Sequence, residues 1–131
     1  LIYLPTISRP QQAPDWRGDT GRVEDFFLPE RLDALEAAIG LAPGGLVPKN
    51  AVIFICGLQG TIGKTIERLI DRGFVPENRK LRRALEVPEG VSDSLFFEQY
   101  DTTPAIALDD PEFMNDLRTR LWAALDRASQ P

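Results

Sequence analysis

The stretch AVIFICGLQGTIGKTIERLI, residues 51–70, decides the fold. It opens with a continuous apolar run, residues 51–56, rich in β-branched side chains. Such a run predicts a strand buried on both faces, as in a parallel sheet. A glycine-rich turn follows, then a helix with Ile62, Ile66, Leu69 and Ile70 on one side, stopping at Gly73. Gly63-Lys64-Thr65 makes the turn nearly the phosphate loop of an ATPase. That loop needs a glycine, four residues, then Gly-Lys-Ser/Thr, so that successive amides wrap the phosphates while the lysine reaches inward. The required glycine position holds Leu58, and Gly57 comes one residue too early. No acidic partner for magnesium is evident on another strand. Lys64 therefore reads as a solvated lysine on the helix's outer face, with Thr65 beside it. Gly57, Gly60 and Gly63 still need a reason. Either they let a ligand approach the backbone and the helix amides, or they serve a tight turn and close helix packing.

Working outward, residues 1–8 (LIYLPTIS) read as a strand with Pro5 a blemish that favours an edge. Residues 9–21 read as loop, and residues 22–27 as a short helical turn. Pro29 suits a helix first turn, with Leu32, Leu35, Ala38 and Ile39 as its apolar face and Gly40 as its end. Residues 77–86 predict another helix, and residues 95–100 a short strand. Asp109 or Asp110 can cap a last helix with Pro111 near its start. Its apolar stripe is Phe113, Met114, Leu117, Leu121 and Leu125, with Trp122 alongside. Strand, helix, strand, helix, strand predicts an α/β domain: an open parallel sheet with flanking helices.

Bulk composition narrows the function. Apolar residues make up 43% of the 131, enough for one core. The net charge of −5 argues against a nucleic-acid or acidic-membrane surface, which calls for a basic patch. No apolar run is long enough to span a bilayer. Histidine is absent, which excludes a histidine-dependent triad or histidine metal ligands. The one cysteine, Cys56, allows no internal disulfide, so a reducing, cytoplasmic setting is expected. The start at Leu1, inside an apolar run, reads as that of a fragment or processed chain.

The words IFICGLQGTIGKTIE resemble the Cys-Gly segment of the ferredoxin–NADP reductase family, an apolar strand followed by Cys-Gly and a helix. Three further matches keep the family's order: TISRP at residues 6–10, GRVEDFF from Gly21, and FFEQY at residues 96–100. The resemblance covers residues 1–100 and implies the C-terminal part of a Rossmann-like NADP-binding domain. Residues 101–131 would be an extension with a helix. It further implies that Ser8 and Arg9 hold the 2′-phosphate of NADP, as a guanidinium and a hydroxyl at a strand's carboxyl end can. Arg22 is a second candidate through its Gly-Arg match, and Arg17 through proximity. Gly57, Leu58, Gln59 and Gly60 would line the cofactor. Cys56 would stand against the nicotinamide, though a lone cysteine on an apolar strand is more often a core thiol. Glu98 would be a partly buried carboxylate that moves a proton or positions the nicotinamide, or else a strand residue facing water. Tyr100 would stack on the flavin.

No flavin-phosphate motif, all-β segment or Gly-Thr-Gly loop is present, so FAD is expected from a separate upstream barrel. The reading is thus the NADP(H)-binding portion of an NADPH-dependent flavoprotein reductase. Hydride would pass between NADPH and FAD, with ferredoxin, flavodoxin or an oxygenase component as electron acceptor. The alternative is a non-catalytic nucleotide-binding or protein-interaction module derived from that fold.

Overall fold

The structure is a computed structural model and describes residues 1–130. Two short parallel pairs replace the single sheet that the sequence predicts. Strand β1 (Thr6–Ile7) pairs with β2 (Asp19–Thr20), and β3 (Ile53–Gly57) pairs with β4 (Leu95–Gln99). The helices are α1 (Leu32–Ala38), α2 (Gln59–Leu69), α3 (Arg79–Ala84) and α4 (Pro111–Ser129). The α/β class is therefore observed, as a small domain. Only two residues of the apolar start form a strand, and they pair inside what reads as loop. The Gly21 amide donates to Ile7 O at 2.8 Å, and the Thr6 hydroxyl donates to Gly21 O at 3.0 Å.

The central run is not buried on both faces. In β3, Ile53 and Ile55 turn inward, while Phe54 is 77% exposed and Cys56 is exposed. Strict alternation of apolar and polar residues would have announced a one-sided strand. Here the open side is itself apolar, so the sequence could not separate the two faces. Phe54 is stacked on its register partner Phe96 with ring centroids 5.3 Å apart.

Helix α2 forms where predicted. Ile62, Ile66 and Leu69 are buried, and the chain stops after a 3-10 turn, Ile70–Arg72, at Gly73 with φ +86°. That left-handed conformation suits glycine. Asp110 caps α4, accepting from the Phe113 amide at 3.1 Å, and Pro111 follows at the first helical position. Met114, Leu117 and Leu121 join Ile62, Ile66, Leu69 and Phe74 in one core. Full burial of Leu117 or Leu121 stabilises by roughly 2 kcal/mol each. Arg120 ties α4 to the end of α2, donating to Asp71 at 2.8 Å and to Glu67 O at 2.6 Å. Trp122 packs on the domain, its indole donating to Leu85 O at 3.3 Å. The predicted face of α1 is off by part of a turn: Leu32 and Glu36 are buried, and Ala38 is exposed. No helix among the described residues is long and apolar enough to cross a membrane.

Candidate functional site

Parallel pairing brings the carboxyl ends of β3 and β4 to one place. Cys56 faces Glu98 in register, Gly57 faces Gln99, and the Tyr100 amide donates to Gly57 O at 2.9 Å. Cys56, Glu98 and Tyr100 thus gather on the open side of the pair. Cys56 is exposed and is not a core thiol. Glu98 is exposed and not partly buried. Tyr100 is 62% exposed. Interaction with the Cys56 thiol, and after it the charge of Glu98, pushes the Tyr100 hydroxyl above its ordinary value. A raised folded value favours the protonated phenol. Its contribution is full below the ordinary value and is lost as pH rises through the folded one. Cys56→Ala should therefore bring the Tyr100 titration down, read as phenolate absorbance with Tyr100→Phe as reference. An unchanged titration would dissolve the cluster.

The glycine turn joins this cluster to α2. Leu58 is exposed, and the Gln59 amide donates to Asp101 at 3.1 and 3.2 Å, so a carboxylate just past Tyr100 occupies the start of α2. Gln99 holds that carboxylate from the strand side at 2.7 Å. The three glycines serve different ends. A Cβ at Gly60 would meet nothing within 4 Å, whereas one at Gly63 would lie 2.3 Å from Ala105 O. Gly60 leaves open space at the turn, and Gly63 lets residues 101–110 cross the helix. Lys64 is solvated as expected, 3.9 Å from Glu67. Thr65, read as its surface neighbour, is buried and donates to Thr61 O at 2.8 Å. Its hydroxyl is spent within its own helix, so the phosphate-loop geometry is absent.

A second group lies around Arg22. A cavity of about 180 Å³ is lined by Thr6, Ser8, Gly21, Arg22, Glu24 and Thr61, among others. Ser8 and Arg22 therefore meet at one cavity, while Arg9 is exposed and outside its lining. Arg17 does not join them: its guanidinium donates to Pro14 O at 2.9 Å and Trp16 O at 3.2 Å, holding its own loop. Arg22 donates from Nε to Glu24 at 2.6 Å and from Nη2 to the Thr61 hydroxyl at 3.2 Å. The bond to Glu24 pushes the guanidinium's already high value further up. Thr61 also sits beside Gly57, so the two groups are neighbours across the start of α2. A larger cavity of about 920 Å³ lies at the other end of the strands, lined by Val52, Ser94, Ala124 and others, and includes none of the predicted site residues.

Glu24, Thr61 and Asp101 are the site residues that sequence reading missed. Glu24 follows Arg22 within GRVED, and Asp101 follows Tyr100; each adjacency was the available signal. No protein-family model matches the chain, and neither a curated protein nor a solved structure matches it.

Proposed function

We propose that the chain is the NADP(H)-binding portion of a flavoprotein reductase of the ferredoxin–NADP reductase type, passing hydride between NADPH and FAD. The observation that carries this is the meeting of Cys56, Glu98 and Tyr100 at the carboxyl ends of two adjacent parallel strands. Open α/β sheets bind ligands at such ends. The residues present suit the dinucleotide. Ser8 and Arg22 line one cavity, and Arg22 keeps guanidinium N–H groups beyond those given to Glu24 and Thr61. These two would hold the ribose phosphate, with exposed Arg9 next to Ser8 in the chain. Gly57, Leu58, Gln59 and Gly60 would line the adenosine side. Cys56 and Glu98 would orient the nicotinamide, and Tyr100, free of any stacking partner among the described residues, would lie against the flavin. The dinucleotide and the flavin supply the redox chemistry; the chain supplies position and charge. FAD would come from an upstream segment, and ferredoxin, flavodoxin or an oxygenase component would receive the electrons.

Calorimetric titration of the purified chain with 2′-AMP, 5′-AMP and Mg-ATP tests this. The expected result is a preference for 2′-AMP, with Arg22→Ala weakening it about tenfold or more, the worth of a charge-assisted pair. Tight Mg-ATP binding that depends on Lys64, or no 2′-AMP binding, would overturn the reading.

The second reading is a non-catalytic interaction module. The exposed apolar side of β3, with Phe54 at 77% exposure and Val52, just before the strand, at 53%, favours it. NADPH-dependent dye reduction, with a flavin-binding partner supplied, separates the two. Full-rate activity in both Cys56→Ser and Glu98→Gln would remove those residues from the site.

A further inference from the structure

We infer that Glu24 is a specificity-determining residue of the cavity at Arg22, lowering its preference for a 2′-phosphorylated over an unphosphorylated adenosine. The inference rests on the nucleotide-binding reading above and adds to it.

Glu24 is only 3% exposed, and its Oε1 lies 2.6 Å from Arg22 Nε. Its Oε2 is buried with no hydrogen-bond partner among the described residues. The carboxylate therefore depends on Arg22 for its counter-charge. Arg68, another nearby cation, is committed elsewhere: its Nη1 donates to the Glu24 backbone carbonyl at 2.7 Å and to Asp25 Oδ1 at 3.1 Å. Asp25 also accepts from the Arg22 amide at 3.1 Å. Beside the cavity, Arg22 is thus paired with Glu24 and Arg68 with Asp25, while Arg31 Nη1 would lie 3.9 Å from a Cβ added at Gly21.

Arg22 cannot turn wholly to a ligand without leaving a buried carboxylate bare, which is strongly unfavourable. An incoming phosphate monoester, carrying about −1.5 to −2 charges near pH 7, would meet an ion pair and not a free guanidinium. The remaining lining polar groups are the hydroxyls of Thr6, Ser8 and Thr61. Hydroxyls suit a neutral sugar as well as an anion. Glu24 thus narrows the difference between the two adenosines, and the cavity accepts both.

The test is calorimetric titration of the full chain with 2′-AMP and adenosine, in wild type, Glu24→Gln and Glu24→Met. Both variants remove the charge at similar volume. Arg22, with its side chain 60% exposed, stays solvated when its partner goes, so folding should survive. Circular-dichroism melting checks this, and either folded variant suffices. The expected result is a rise of about tenfold in the 2′-AMP to adenosine affinity ratio, the effect of removing one like charge several ångströms away in a half-exposed site. If Glu24 merely holds Arg22 in place, the neutral variants weaken 2′-AMP binding instead, and the inference falls. An unchanged ratio also overturns it while leaving the nucleotide reading standing. Binding of neither ligand by the wild type overturns the reading and the inference together.

Discussion

Glu36→Ala should lower the unfolding free energy by about 3 kcal/mol, since it removes the acceptor of a buried charged network. The Glu36 side chain is fully buried. Its Oε2 accepts from the Leu46 amide at 2.8 Å and from Arg72 Nη1 at 3.0 Å, and its Oε1 accepts from the Gly44 amide at 3.1 Å. Three separate pieces, α1, the loop at residues 44–46 and the 3-10 turn that follows α2, meet on this one carboxylate. Alanine leaves the buried Leu46 amide without its acceptor and Arg72 without its counter-ion. Burial alone would push the Glu36 carboxyl up, but the Leu46 amide, the Arg72 guanidinium and the Gly44 amide outweigh it and hold it below the ordinary carboxylate value.

The sign follows from that direction. A depressed folded value gives stability that is present above the unfolded value and lost as pH falls through the folded one. Urea denaturation of wild type and Glu36→Ala should show their difference full at neutral pH and narrowing as pH falls below the ordinary glutamate value. A difference that is constant down to strongly acidic pH, or absent at neutral pH, would remove Glu36 from this role.

Glu36 also marks where sequence reading stops. The periodicity of α1 gave Leu32 and Leu35 correctly as inward or partly inward, yet placed Ala38 where the structure buries Glu36. A glutamate is read as solvent-facing because an unpaired buried charge is costly. Its partners lie on a loop and on another helix, which no local pattern displays. Arg22 and Glu24 follow the same rule: their pairing is local, but burial of Glu24 depends on the packing of their turn against α2. By contrast, α2 and α4 were legible because each carries an apolar stripe at helical spacing and a recognisable end, Gly73 for one and Asp110-Pro111 for the other. The strands were half legible. Residues 53–57 and 95–99 pair as parallel strands, but sidedness was hidden because Phe54 and Phe96 cover the open face with apolar surface. The gathering of Cys56, Glu98 and Tyr100 followed from register, which the sequence motifs alone do not contain.

Gly63→Ala should cost about 2 kcal/mol. The added Cβ would stand 2.3 Å from the carbonyl oxygen of Ala105 and 3.4 Å from its carbon. The obstacle is backbone, so no side-chain rotation relieves it, and overpacking of this kind costs roughly 1–3 kcal/mol or more. Alanine's better helix propensity returns about 1 kcal/mol at most. The segment over α2 must therefore retreat, and with it Ile106, which is buried in the core. The same movement strains the Asp101 carboxylate on the Gln59 amide, at the edge of the candidate site. For a chain of this size, a loss of that order lowers the melting temperature by about 5–10 °C. Faster proteolysis within residues 101–110 should accompany it. A variant as stable as wild type would mean that the segment yields freely and that helix propensity wins. Loss of stability would instead assign the third glycine of Gly-x-x-Gly-x-x-Gly to the crossing of residues 101–110 over α2.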